Sequence, residues 1–290
     1  MSEEKYLVAL SSYVPFGPVR LELLIDYFGS SEIVWNTSRG ELKGVGLSER
    51  MVDGFFKHKK FFSFERYFKK LKEKKINYII KSSDEYPQNL KTIPNPPYVL
   101  YVKGKILKKD QNAVSIVGTR KMTSYGESVA KLFTSSLVSK GLTIVSGLAR
   151  GIDTVSHKEA LLRKGRTIAV MACGLDIVYP PENKNLAEEV SESGALVSEY
   201  PLGYPSLPVN FAVRNRIISG LSKAVLVVEG RRKSGTLLTV SHAAEQGRTV
   251  FAVPGPITSA MSEGPHFLIQ NGSRIAISPQ DILDELGLEN

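Results

Sequence analysis

Apolar residues recur every three or four positions along residues 5–75, and then give way to short unbroken apolar runs. In "YLVALSSY", "PVRLELLIDYFG", "SEIVWN" and "FFSFERYFKKLKEKK" this spacing predicts helices. A short strand, "NYII", follows, and the proline-rich "SSDEYPQNLKTIPNPPYVLYVKG" reads as an extended connector. From residue 113 the runs "AVSIVG", "LTIVSG", "TIAVMA", "ALVSEY", "AVLVVEG", "TVFAVPG" and "RIAI" are rich in β-branched residues, and helical segments separate most of them. Continuous apolar strands interleaved with helices predict a parallel sheet covered on both faces. The expected fold is therefore α/β: an extended Rossmann-like, doubly wound, mostly parallel sheet over residues 77–290, with a small all-helical domain over residues 1–76. In such a sheet ligands belong at the carboxyl ends of the strands, near the point where strand order reverses.

Composition narrows the class. The 290 residues are 42% apolar and 23% charged, an ordinary globular balance. No apolar run is long enough to span a bilayer, and "MSEEKYLVALSSY" carries early glutamates where a secretory signal needs basic residues. One cysteine, Cys173, excludes an internal disulfide framework, and with four scattered histidines it leaves little for a zinc site. The expectation is a cytoplasmic protein with no membrane segment and no built-in metal. The net charge is +9, unevenly spread: residues 1–110 hold 20 Lys+Arg against 13 Asp+Glu, and residues 111–290 hold 18 against 16. A basic balance favours an anionic partner, nucleic acid first.

The predicted strand ends hold the candidate chemistry. After the first long strand comes Gly118-Thr119-Arg120-Lys121, then Ser124 and Glu127 at capping-box spacing, which predicts a helix N-terminus facing an anion. Ser234-Gly235-Thr236 opens another helix directly after a buried strand. Neither loop has the G-x-G-x-x-G order or a Walker-type G-x-x-x-x-G-K-[ST], so NAD, FAD and a phosphate-loop ATPase are not expected. In "NFAVRNRIISGLS", Phe211 and Arg214 lie three apart on one helix face, with Asn215 and Arg216 adjoining. A ring for a base beside a guanidinium for a phosphate is the pairing of single-strand binders. The structural alternative is a core Phe211 with the arginines paired to Glu199 or Glu229. Ser146, Asp153 and His157 lie close in sequence, but Asp153 reads more simply as the cap of its own helix than as part of a hydrolytic trio. Cys173 reads as a buried thiol. In the helical region, Gly44-Val45-Gly46 resembles a helix-hairpin-helix turn, whose amides can face a DNA phosphate; a plain helix cap is the competing reading.

Taken together, "SIVGTRKMTSYG", "GLTIVSGLARGID", "TIAVMACGLDIVYPPEN", "GALVSEYPLG", "FAVRNRIISGLS", "VLVVEGRRKSGTLLTVSHAAEQGRTVFAVPG" and "LIQNGS", in this order, resemble the DNA-processing protein A (DprA/Smf) family over roughly residues 80–277. The helical start resembles that family's SAM/helix-hairpin-helix-like domain. The resemblance implies a mediator that binds single-stranded DNA, protects it and loads the RecA recombinase in natural transformation. It also implies a homodimer formed through the Rossmann domain, and no catalytic residue, cofactor or metal. Residue by residue, it implies that Arg120 grips a phosphate, with Gly118, Thr119 and Lys121 around it, and that Ser146 and Gly147 add polar contacts. Phe211 would stack on a base, Arg214, Asn215 and Arg216 would complete the pocket, and Ser234, Gly235 and Thr236 would line it. Pro208-Val209-Asn210 stands where some relatives carry a lysine, and Ser156 stands where alanine is usual. The chain ends at Asn290, so no C-terminal winged-helix domain is expected. A second reading is a nucleotide-binding, phosphoribohydrolase-like enzyme of the same superfamily. Its P-G-G-x-G-T-x-x-E loop is not matched here: Lys233-Ser234 replace the glycines and Thr239 replaces the glutamate.

Overall fold

The computed structural model describes residues 2–288. Six helices come first: α1 (Glu3–Ser11), α2 (Gly17–Phe28), α3 (Ser31–Asn36), α4 (Arg39–Gly44), α5 (Glu49–Phe61) and α6 (Phe64–Glu73). Then follow β1 (Ile76–Ile80), α7 (Gln88–Lys91), β2 (Val99–Gly104), β3 (Ala113–Val117), α8 (Ser124–Ser139), β4 (Thr143–Ser146), α9 (Ile152–Leu162) and β5 (Thr167–Val170). The chain continues with α10 (Lys184–Ser193), β6 (Ala195–Ser198), α11 (Pro208–Gly220), β7 (Ala224–Val227), α12 (Thr236–Glu245), β8 (Thr249–Ala252), α13 (Glu263–Gln270), β9 (Arg274–Ile275) and α14 (Gln280–Glu285). Among the described residues no single helix is long and apolar enough to cross a membrane.

All nine strands join one sheet in the order β1-β2-β6-β5-β4-β3-β7-β8-β9. Pairing is parallel from β6 through to β9, whereas β1–β2 and β2–β6 are antiparallel. The doubly wound, mostly parallel sheet expected from the sequence is present. β3–β6 run outwards one way from β3 and β7–β9 run the other way, so the switch point lies between β3 and β7. The central strands β3 to β7 are buried along their whole length, as strands covered on both faces must be.

Two expectations need correcting. The proline-rich connector holds a full strand, β2, which carries the sheet out to β1. Its prolines, at 87, 94, 96 and 97, all precede the ladder, where their missing amides cost nothing. The helix-hairpin-helix-like turn is closed: the amides of Val45, Gly46 and Leu47 donate to the Glu41, Lys43 and Leu42 carbonyls of α4. That is a helix cap, with Gly46 in the left-handed region at φ 87°, and none of these three amides faces outwards for a phosphate.

The core of the helical segment is continuous with that of the sheet layer. Leu10, Trp35, Phe55 and Leu71 belong to the same buried cluster as Tyr101, Met171 and Leu196 of the sheet layer. The Tyr67 and Tyr101 hydroxyls meet at 2.9 Å across this contact. Burial pushes the Tyr67 hydroxyl up to about 12, so the bond persists at any physiological pH.

Candidate functional site

The switch point opens into a cleft of about 470 Å³ at the carboxyl ends of β3 and β7, walled by the β3–α8 loop, α11 and the start of α12. Its β3 side is rigid. The Thr119 amide donates to the Glu229 carbonyl at 2.8 Å, and the Thr119 carbonyl accepts from Ile152 at 3.2 Å. Gly151, with φ 76°, lets α9 approach this closely, since a Cβ there would lie 2.2 Å from the Thr119 oxygen.

The α8 N-terminus differs from the sequence expectation. Its cap is Thr123, whose Oγ1 accepts from Gly126 at 3.2 Å; Ser124 is already in the helix, and Glu127 pairs with Lys131 rather than reaching back. The expected anion is the protein's own. The buried Glu229 carboxylate takes the Thr123 amide at 2.9 Å and the Thr123 hydroxyl at 2.6 Å. It lies so close that a Cβ on Gly126 would be 2.2 Å from Glu229 Oε2. A carboxylate at a helix N-terminus offsets the dipole and the free amides, so this terminus is filled. Arg120 and Lys121 project ahead of it, both exposed.

The α11 wall carries the aromatic group. Phe211, half-buried, has the Arg120 guanidinium 5.2 Å and the Arg214 guanidinium 5.7 Å from its ring centre, and meets Tyr179 edge-on at 5.6 Å. Both cations lie within cation–π range. They differ in freedom. Arg214 is buried: its Nη1 donates to the Gly147 carbonyl at 2.8 Å and to the Val170 carbonyl, and its Nε donates to Asn215 Oδ1 at 3.2 Å. Burial lowers the Arg214 guanidinium to about 10, with nearby Asp153 opposing the shift, so it stays charged at neutral pH. Gly147 leaves the room it needs: a Cβ there would lie 2.5 Å from Arg214 Nη1. Arg120, in contrast, has no hydrogen-bond or ion-pair partner among the described residues.

The α12 wall stays open. Ser234, Gly235 and Thr236 line the cleft, and the α12 N-cap, Gly235, supplies no side-chain bond. The Asn215 amide fixes this turn by donating to the Gly235 carbonyl at 3.3 Å, and Ser234 Oγ is buried without a partner. Of the two candidate anion loops, this one has no carboxylate bonded to it among the described residues, although the Leu237 and Leu238 amides already donate to the Ser234 and Gly235 carbonyls at 3.1 and 3.2 Å.

The cleft therefore brings together Gly118, Thr119, Arg120, Phe211, Arg214, Asn215, Ser234, Gly235 and Thr236. Gly147 backs Arg214 from behind, and Lys121 is exposed next to Arg120 but is not among the residues that line the cleft. Two residues go elsewhere. Ser146 is fully buried and donates to the Ile116 carbonyl at 2.7 Å. Arg216 turns to the opposite side of α11 and pairs with Glu199, as the structural alternative had it; burial raises the Glu199 carboxyl, with Arg216 opposing. Asp153 accepts from the Gly147 and Ala149 amides at 3.1 and 3.3 Å, and burial raises its carboxyl. His157 bonds Thr167 instead, so the pair does not meet. The sequence gives no signal for Tyr179, offers Glu229 only as an ion-pair partner for the α11 arginines, and leaves the exposed run Arg231-Arg232-Lys233 beside the Ser234 turn without a role. Only the basic run was visible as a pattern, three cations between a strand end and a helix start.

A family model described as DNA recombination-mediator protein A matches residues 77–287. The DNA processing protein DprA of Bacillus subtilis is 41% identical over 262 residues, covering 90% of this chain and 86% of that protein. The X-ray structure of DNA processing protein A from Streptococcus pneumoniae superposes with a TM-score of 0.80 at 31% identity, covering 98% of each chain. DNA processing protein A from Helicobacter pylori, whose structure concerns its single-stranded-DNA binding mode, superposes with a TM-score of 0.65 at 26% identity over 73% of this chain and 95% of that one.

Proposed function

This chain belongs to the DNA recombination-mediator protein A family, and on that premise we propose that it binds single-stranded DNA in the β3/β7 cleft and passes it to a RecA-type recombinase. The observation that carries the reading is Phe211, held between a fixed cation, Arg214, and a free one, Arg120, opposite the open N-terminus of α12. A base stacks on the ring, Arg120 swings from the ring onto a phosphate, and the Ser234–Thr236 turn takes a neighbouring phosphate. Such binding tolerates any base sequence and weakens with salt. Glu229 filling the α8 terminus also supports a continuous strand over a free dinucleotide, because the usual pyrophosphate position is already taken. The enzyme alternative loses support at the same cleft: its one carboxylate among the lining residues, Asp153, is engaged by two backbone amides.

The reading extends to a cytoplasmic homodimer. Among the described residues β9 ends the sheet with no strand on its outer side, and Ile275 and Ile277 are 50% and 75% exposed there. An uncovered apolar edge invites a second copy. The test of DNA binding is a salt titration with labelled poly-dT. Arg120→Ala is expected to weaken binding to every oligonucleotide alike, with an unchanged melting temperature. Absence of binding by the wild type at low salt would reject the reading. The mediator step is tested by RecA assembly on DNA already coated with single-strand-binding protein, with and without this chain.

A further inference from the structure

Most of the net basic charge of this protein lies away from its cleft. Residues 57–109 hold 15 Lys+Arg against 4 Asp+Glu, and the rest of the chain holds 23 against 25. That segment builds the end of α5, α6, β1 and β2, at the far edge of the sheet. A groove of about 1100 Å³ lies there, between α6, β1 and the β2–β3 connection. Lys72, Lys75, Lys105 and Lys108 line it, with Lys69 and Lys109 beside them. All six are exposed, and none has an ion-pair partner among the described residues. The groove wall is mixed: Phe68, packed against Tyr78 at 5.8 Å, makes an apolar, aromatic stretch with Leu71 and Ile79, while the exposed Asp84 and Glu85 line another part of it and leave the four lysines in excess.

We propose that this groove is a second track for single-stranded DNA, separate from the cleft. The proposal rests on the cleft reading for its ligand class and goes beyond it in place. Unpaired lysines on two sides of a groove suit a polyanion recognised by charge alone, because an ammonium is a point charge without the fork geometry of arginine. The aromatic stretch at Phe68 and Tyr78 favours a single strand over a duplex, since only unpaired bases can lie against it. Along the sheet, β1 is five strand positions from β3, and the groove opens at the opposite strand ends, so the two sites are roughly 30 Å apart. An oligonucleotide of about 6 nucleotides fills one site, and one of about 40 can engage both.

The experiment replaces Lys72, Lys75, Lys105 and Lys108 together by glutamine and measures binding of short and long poly-dT against salt. These side chains are exposed, and an unchanged melting temperature certifies the fold. The short oligonucleotide should bind as before. The long one should lose about tenfold or more in affinity, and its log–log salt slope should fall by about 3. An unchanged slope on the long oligonucleotide overturns the proposal, and so does an equal loss on both lengths, which would mean one continuous site. Loss of binding to polyglutamate with DNA binding intact would assign the groove to an acidic protein instead, and also overturns it. Arg120→Ala in parallel separates the two readings: if it leaves the short oligonucleotide unaffected, the cleft assignment fails while the lysine result stands by itself.

Discussion

Phe211 and Arg214 are three residues apart on one helix, yet they are held in different ways. Phe211 is half-buried and borders open space, whereas Arg214 is buried and bonded to two carbonyls. Truncating the ring should therefore affect binding and little else: Phe211→Ala is expected to weaken poly-dT binding by about 1–3 kcal/mol, measured by anisotropy, with Phe211→Leu in between. His157 gives a prediction about stability. Thr167 Oγ1 donates to the Ile144 carbonyl, so it accepts from His157 Nδ1, and Nε2 is left buried without a partner. The imidazole is held neutral, and burial lowers it to about 3 from an ordinary 6.5. The sign follows: between those values the unfolded chain binds a proton that the folded chain refuses, so this contribution to stability is present above about pH 6.5 and is lost as pH falls. Asp153 and Glu199, raised by burial, act in the opposite direction and are common to wild type and variant. The stability advantage of wild type over His157→Asn should thus shrink by ~1.4 kcal/mol per pH unit between about pH 6 and 4 in urea titrations. A constant difference across that range would reject the neutral-imidazole account.

At the scale of elements, the question is what each helix N-terminus faces. α8 and α12 both start at the carboxyl edge of the sheet, one beside β3 and one after β7, but Glu229 occupies the first and the cleft adjoins the second. Glu229→Ala should remove the carboxylate that holds the α8 cap residue Thr123 and lower stability by about 1–2 kcal/mol. Sulfate should then raise the melting temperature of the variant more than that of the wild type, by entering the vacated position; an equal response would mean that Glu229 acts only by packing. This element-level arrangement was half legible beforehand. The strand and helix alternation, the loop after β3 and the turn before α12 all show in residue pattern alone. The partner of the α8 terminus did not, because Glu229 is 106 residues from Thr123 in the chain. The cap differs by one residue from the sequence expectation, since Thr123 and the intrinsically preferred Ser124 stand side by side. Strand β2 was missed for a related reason: its prolines sit just ahead of it and mask its start.

At the scale of the molecule, shape and charge are organised separately. The cleft sits at the topological switch point, the apolar edge of β9 at one end of the sheet, and the lysine groove at the other. If the β9 edge joins two copies, Ile275→Lys with Ile277→Lys should give a monomer in sedimentation equilibrium with its melting profile retained; a dimer that survives both changes would put the interface elsewhere. In such a dimer each copy would contribute one cleft and one groove, with the grooves outermost.

The sequence by itself determined the fold class and the identity of the chemical groups. Unbroken β-branched runs between helices can be buried only as a parallel sheet, and the motifs carry glycine, arginine and phenylalanine to strand and helix ends whatever the detailed packing. Tertiary structure decided what each group has left to offer. Arg216 looked equivalent to Arg214 along the chain, but helical rotation sends it to Glu199 on the far side of α11. Ser146 ends a strand facing inwards and bonds Ile116. The charge excess was countable from composition, yet only folding placed it at the edge of the sheet remote from the cleft. Periodicity is a local property that a chain carries with it; pairing between side chains and the separation of two surfaces exist only once distant segments meet.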